Sequence, residues 1–378
     1  MLSRILKTEA VKEELLRQIE SKDLKEGDRI CSEKELENIC EVSRITVRRA
    51  ISQLSSEGRV LSVNGRGTFV GSKAGLLNHS GRRDKTIEFV TPANLGGGAD
   101  GTWGSMTVLA EIESGIKKST GYKLVFSNTH GDVSLERKVI EDAISGTSAA
   151  IVFQPVFTST AHLLEKHVGL LVRSGKIIVV SERLVPFEVN NIYEDDSHGA
   201  WLATSHLIRN GHRSILHMNF SGDYLENRRK GYKKALIENN IPVREGLIYG
   251  RRLEVKDDMY VLEYDDFFEL GYRAAKKTME KEKFTAIFAV NDMAAFGAIK
   301  ALEEIGLKVP EDVSIVGYDN HPDAEKNNLT SVERPFSEMG KVIAETIAEK
   351  IREKDQSSVT RIGVKPRLVE RGSVVNIH

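Results

Sequence analysis

Residues able to do chemistry gather first in two stretches of this chain. Gly96, Gly98 and Gly101 set out G-x-G-x-x-G within "VTPANLGGGADGTWGS", a spacing that cradles a dinucleotide when it follows a strand directly and opens a helix. Across residues 44–73 the basic residues Arg44, Arg48, Arg49, Arg59, Arg66 and Lys73 face a single acid, Glu57. That local excess, inside a chain of net charge −1, suits a polyanion partner, although a solvated helix face would carry the same charges. The two cysteines, Cys31 and Cys40, match no zinc or redox spacing and form no disulfide framework, which fits a reducing compartment.

The elements that must position these residues follow from length and pattern. At 378 residues, with 40% apolar and 29% charged side chains, the chain reads as soluble and has room for two or three domains. The opening "MLSRILKTEAVKEELLRQIE" mixes charged with apolar residues throughout. It is therefore expected to be neither a secretory signal nor a membrane span, and the protein is expected in the cytoplasm, with no membrane partner.

A first helix is predicted over residues 7–24 from Ala10, Val11, Leu15, Ile19 and Leu24. Ser32 and Glu35 form the S-x-x-E capping box of a second. Ser43 can cap a third, "RITVRRAISQLSSEG", whose inner stripe is Val47, Ala50, Ile51 and Leu54 and whose outer face carries Arg44 and Arg48. "VLSVNGRGTFV" then places two strand-like runs around Asn64-Gly65, a strong hairpin signal. Three helices and a hairpin predict a winged helix-turn-helix. In that fold Arg44 and Thr46 meet base edges in the major groove, Arg48 meets phosphate, and Asn64, Gly65 and Arg66 suit the narrow minor groove. A helical bundle that docks protein is the alternative.

Residues 72–85 are polar, glycine-containing and aperiodic up to Lys85, so they read as a linker. Beyond them "TIEFVT", "YKLVFS", "AAIVFQ", "KIIVVS", "SILHMN", "TAIFAV" and "VSIVGY" alternate with amphipathic runs such as "MTVLAEIESGIKKST" and "MAAFGAIKALEEIG". This is βαβ alternation, and so many strands predict an α/β body of two parallel-sheet lobes. The expected domains are a winged helix-turn-helix at 1–71, a linker at 72–85, and a two-lobed effector-binding and dimerisation domain at 86–378.

The segment "SEKELENICEVSRITVRRAISQLSSEGRVLSVNGRGTFV" resembles the DNA-binding domain of the GntR class of transcription regulators over its whole length. SE-x-x-L, VSR-x-TVR-x-A, L-x-x-EG and G-x-GTFV occur in order. The resemblance implies DNA contacts at Lys34, Ser43, Arg44, Thr46, Arg48, Asn64, Gly65 and Arg66. Cys31 departs from the proline usual before the capping serine.

"SHLIRNGHRSI", "NRRKGYKKAL", "NDMAAFGAIKALEEIGLKVPEDVSIVGYDN", "LTSVERPFSEMG" and "RLVERGS" resemble, in this order, the effector domain of the LacI/GalR regulators and the type I periplasmic sugar-binding proteins. The match is weakest over 92–150. It implies ligand contacts at Arg228, Asn291 and Asp319, with Glu182 standing where the family has Asp. Gln154, Asp292, Arg334 and Phe336 are weaker candidates, and His206 and His212 are expected to support the fold. Such groups suit a sugar, whose vicinal hydroxyls present paired donors and acceptors. Against the dinucleotide reading, the glycines do not follow their strand directly, and the next strand ends at Ser127-Asn128 with no carboxylate for a ribose. The glycines instead let the chain bend around a cleft, where Trp103 either stacks on a sugar or belongs to the core.

Together the two resemblances imply a homodimeric transcription regulator, a repressor of sugar-utilisation genes, that binds operator DNA under the control of a small sugar and needs no cofactor. A pentose is expected, L-arabinose first, with another sugar or a non-sugar effector as the alternative. A transport binding protein would reverse the pattern, with a secretory signal and no cationic head. An enzyme would need a catalytic cluster, and no H-E-x-x-H, G-x-S-x-G, P-loop or Cys/His cluster occurs.

Overall fold

Helical periodicity and explicit end signals build the first three helices. The computed structural model of this chain describes residues 2–21, 24, 28–30, 32–56, 59–63, 67–71, 85–92, 102–156, 160–219, 223–250, 254–256, 259–261, 267–353 and 358–378. Helix α1 (Leu2–Ser21) buries Val11 and Leu15, while Ala10 stays exposed. Helix α2 (Glu33–Cys40) starts on the predicted box, with Ser32 Oγ accepting from Glu35 N–H and the Glu35 carboxylate accepting from Ser32 N–H. Helix α3 (Arg44–Ser56) buries Val47, Ala50, Ile51 and Leu54, the stripe read from spacing. Strands β1 (Val60–Val63) and β2 (Gly67–Val70) pair antiparallel with Val63 opposite Gly67. These elements close over a core that also takes in Ile30, Leu36, Val60 and Val70.

Two compact units divide the chain, Met1–Thr86 with Ile144–Ala149, and Ile87–Ala143 with Ala150–His378. The predicted linker, residues 72–85, lies outside the described residues except for Lys85.

The second unit is built on two six-stranded sheets. Its first half runs β3 (Thr86–Thr91), α4 (Thr102–Thr120), β4 (Lys123–Asn128), α5 (Val133–Ser145), β5 (Ala150–Phe153), α6 (Ala161–Val172), β6 (Ile177–Glu182) and β7 (Asn190–Glu194). The second runs α7 (Asp196–Arg209), β8 (Ile215–Met218), α8 (Asp223–Glu238), β9 (Ile248–Tyr249), a hairpin of β10 (Glu254–Lys256) and β11 (Met259–Val261), α9 (Phe267–Met279), β12 (Ala286–Phe288), α10 (Asp292–Glu303), β13 (Ser314–Asp319), α11 (Pro322–Lys326) and β14 (Thr330–Glu333). Helix α12 (Phe336–Glu353), β15 (Arg361–Val364) and β16 (Arg367–Val369) complete it.

Strand order is β15-β7-β6-β5-β3-β4 in one sheet and β16-β14-β13-β12-β8-β9 in the other. The parallel pairing extends from β15 through β7, β6 and β5 to β3, and from β14 through β13, β12 and β8 to β9, whereas β16 runs antiparallel to β14. Both sheets are covered by helices, so their central strands are apolar on both faces, as β5 and β12 are. Helix α12 returns to pack Phe336, Met339 and Ile343 with α4 in the first lobe's core. The chain therefore passes between lobes three times, at Asp195, at Arg334-Pro335 and at Lys365-Pro366. No described helix is long and apolar enough to cross a membrane.

Candidate functional site

In the first unit, α2 and α3 set one carboxylate between two arginines. Arg44 and Arg48, four apart and so on one face of α3, both direct Nε at Glu33 of α2, 2.9 Å and 3.1 Å from Oε2. The hydrogen bond from Arg44, reinforced by Arg48, holds the Glu33 carboxyl below its usual range. Both arginine side chains remain largely in solvent, at 64% and 61% exposure, and Lys34 and Ser43 are exposed beside them.

Thr46 is placed otherwise than expected. It is 8% exposed, with Oγ1 3.1 Å from Ser43 Oγ, because its position in the first turn of α3 directs it back toward Ser43 and the core. The cationic face therefore consists of Lys34, Arg44 and Arg48. Asn64, Gly65 and Arg66 lie outside the described residues.

In the second unit, parallel strands bring their carboxyl ends to one edge of each sheet, where open α/β folds hold ligands. At the first lobe's edge Gln154 follows β5. Its oxygen accepts from the Thr91 hydroxyl at 2.5 Å, and its amide donates to Ser105 Oγ at 3.3 Å and to Glu182. Glu182 ends β6 with φ +78, and Asp319 ends β13 in the other lobe with φ +100. A left-handed backbone at a non-glycine residue costs on the order of 1–3 kcal/mol and clusters at ligand clamps. The two lobes thus present their carboxylates in the same strained way.

The second lobe's edge is organised by Arg228 of α8. Its Nε donates to Asp196 Oδ1 at 2.8 Å and Nη1 to the Val290 carbonyl. Its guanidinium lies 3.6 Å from the centre of the Tyr318 ring, with Nη2 4.0 Å from Asp319 Oδ1. Asn291 caps α10, its oxygen accepting from Ala294 N–H at 2.9 Å, which leaves the amide NH2 as its remaining donor.

Arg334, in the second crossing, links the two edges. Nη2 donates to Glu182 at 2.8 Å and Nε to Glu194 at 2.5 Å, with the guanidinium over the Phe336 ring. Glu194, fully buried at the end of β7, also accepts from the Tyr318 hydroxyl at 2.6 Å. Gly199 makes that contact possible, since a Cβ there would lie 2.3 Å from the Tyr318 hydroxyl oxygen. Beside the network a pocket of about 170 Å³ is lined by Leu164, Arg183, Phe187, Asp196 and Asn227, among others.

Burial dominates the electrostatics. It raises the Asp196 carboxyl to about 7, with Glu194 adding to the rise and Arg228 opposing it. Burial and then Asp319 raise Asp292 to about 8. Burial also lifts Asp319 above the usual carboxylate range, and it keeps the Tyr318 hydroxyl protonated as a donor.

The structure thus gathers Gln154, Glu182, Arg228, Asn291 and Asp319 on the two sheet edges. Gly96, Gly98 and Gly101 lie outside the described residues, as does the side chain of Trp103. Strand β4 ends at Asn128, whose side chain accepts from His130 N–H, so no carboxylate occupies that strand end. His212 bonds Thr285 and the Val375 carbonyl, pinning the C-terminal segment, and His206 faces Glu370. Sequence reasoning missed Glu194, Asp196 and Tyr318. The acidic run "YEDD" at the end of a short strand was the available signal.

Residues 7–70 match the "Bacterial regulatory proteins, gntR family" and residues 204–374 the "Periplasmic binding protein-like domain". The arabinose metabolism transcriptional repressor of Geobacillus stearothermophilus is 27% identical over 378 residues, 97% of each chain. The HTH-type transcriptional repressor PurR of Photorhabdus laumondii is 30% identical over 282 residues, 71% of this chain and 76% of that protein. Among solved structures, the transcriptional regulator CelR-cellobiose complex superposes with a TM-score of 0.62 at 22% identity, covering 88% of this chain and 92% of that one. These relatives are regulators of transcription, not enzymes.

Proposed function

This chain belongs to the transcription regulators that join a GntR-family DNA-binding head to a periplasmic-binding-protein-like body, and from that premise we propose that it is a sugar-responsive repressor. In this reading residues 1–71 bind operator DNA, 72–85 link, and 86–378 bind the effector and dimerise. Arg44 and Arg48 present cations to the duplex, with Lys34 and Ser43 beside them and Asn64, Gly65 and Arg66 at the wing. Gln154, Glu182, Arg228, Asn291 and Asp319 hold the effector, with Trp103 as a stacking platform.

The observation that carries the reading is the pair of polar sheet edges joined by Arg334, Glu194 and Tyr318. A ligand that engages both edges binds one arrangement of the lobes better than another, which is what allosteric control requires. The similarity to the arabinose repressor makes L-arabinose the first candidate. A homodimer fits a two-fold operator, and the cytoplasm is the compartment such a regulator works in.

A thermal-shift panel of pentoses, hexoses and their phosphates tests this, because a ligand that binds only the folded state raises its melting temperature. The sugar that shifts the protein should also release it from a duplex selected out of a random-sequence pool. If no sugar shifts the melting temperature, the sugar reading fails and the DNA-binding assignment stands on its own.

A further inference from the structure

We infer that Asn219 is a further effector-contacting residue, one that selects for a hydroxyl or another hydrogen-bond donor on the ligand. The inference rests on reading the cleft as the effector site.

Asn219 directly follows β8, on the same carboxyl edge that carries Asn291 and Asp319. Parallel pairing sets Phe288 opposite His217, so two residues on, Asn219 stands level with Val290. Val290 is the residue whose carbonyl accepts from Arg228. Helix α8 runs back antiparallel to β8, with Tyr232 stacked on His217 at 4.8 Å between ring centres. One turn toward the edge on α8 is Arg228, and two residues toward the edge on β8 is Asn219.

Backbone contacts fix Asn219 in place. Its N–H donates to the Tyr249 carbonyl at 2.7 Å, and Gly250 lies so close that a Cβ there would come within 2.0 Å of the Asn219 carbonyl oxygen. The residue is 5% exposed, yet its side-chain oxygen is buried with no hydrogen-bond partner. A buried acceptor left unpaired is costly, and native proteins keep few of them. At a ligand edge, beside a guanidinium already engaged with Asp196 and Val290, the missing partner is a donor that the ligand brings. A site built to pair a hydroxyl rejects the analogue lacking it, since the orphaned group then stays buried and dry.

The test compares wild-type protein with Asn219→Leu and Asn219→Asp, using L-arabinose, D-xylose and D-ribose as probes and the monodeoxy forms of whichever stabilises the wild type. Asn219→Leu removes the orphaned acceptor at similar volume. It is expected to keep or raise the melting temperature without sugar while weakening sugar binding by about tenfold or more. Asn219→Asp, which keeps the acceptor, is expected to bind more tightly than the leucine variant. One monodeoxy sugar should lose affinity for the wild type but bind the leucine variant as well as its parent sugar does. Unchanged sugar affinity in Asn219→Leu overturns the assignment while leaving the sugar reading intact. If no probe sugar or hexose stabilises the wild type, the sugar reading falls and the assignment falls with it.

Discussion

Arg228 is 2% exposed and spends its charge on Asp196, which is 3% exposed. Removing one member of a buried pair strands the other, which costs about 3–5 kcal/mol. Arg228→Ala is therefore expected to destabilise the body by that amount in urea unfolding and to abolish any sugar-induced shift. A variant of unchanged stability would mean that Asp196 is satisfied without it. In the head the opposite holds, because Glu33 bonds Arg44 and Arg48 in a largely solvated setting, where such pairs add little to stability. Glu33→Gln should barely move the melting temperature, yet it frees both guanidiniums and removes a charge that repels phosphate. Its affinity for mixed-sequence duplex DNA should rise several-fold, with a steeper salt dependence; weaker binding would show that Glu33 itself contacts DNA. Arg228, Asn291 and Asp319 could be singled out as candidates from sequence because each sits inside a recognisable motif. Glu194 and Asp196 were not, because their partners Arg334 and Arg228 lie 140 and 32 residues away, and no local pattern marks an acid as buried.

Elements were legible where their apolar residues form a run or a helical stripe. Strands β5, β6, β8, β12 and β13, buried almost throughout, are short apolar runs that the sequence displays openly, and β3 and β4 show such runs although they are only partly buried. Strands β7 "NNIYE", β14 "TSVE", β15 "RIGV" and β16 "RLV" were missed, because three to five mixed residues near a sheet margin carry no period. They matter nonetheless, since the three crossings adjoin their ends and Glu194 terminates one of them. The contact of α9 with α10 was equally hidden, because it depends on a missing side chain. A Cβ at Gly297 of α10 would lie 1.9 Å from the Phe268 carbonyl oxygen of α9, so the helices meet backbone to backbone. Gly297→Ala must force them apart against a packed core, an overpacking that costs typically 1–3 kcal/mol. The loss should appear in denaturant unfolding of the body and leave mixed-sequence DNA affinity unaltered. Were the alanine variant as stable as wild type, the close approach would be absent in solution.

At the scale of the whole molecule, the buried titratable groups predict how stability follows pH. Both tryptophans, Trp103 and Trp201, fall in the second unit, so their fluorescence during urea unfolding reports that body and not the head. Burial beneath Tyr232 and Phe288 lowers His217 from 6.5 to about 3. The fold therefore favours neutral His217, and that stability is complete above pH 6.5 and lost as pH falls toward 3. Asp292 moves the other way, from 3.8 to about 8, so the fold favours its protonated form. Its contribution is complete below pH 3.8 and lost as pH rises toward 8. Each group titrates with a slope of up to about 1.4 kcal/mol per pH unit. Between pH 3.8 and 6.5 the two slopes oppose each other and this pair leaves stability nearly level. Above 6.5 His217 has nothing further to give, while Asp292, joined by Asp196 with its carboxyl raised to about 7, continues to lose stability. The body should thus weaken by roughly 2 kcal/mol or more from pH 6.5 to 8. Asp292→Asn cannot ionise and should flatten that fall, so the variant's stability relative to wild type should improve as pH rises. A body that gains stability over the same range would show that Asp292 is ionised in the fold, held by its hydrogen bonds from Ser331 and the His321 N–H strongly enough to overcome burial.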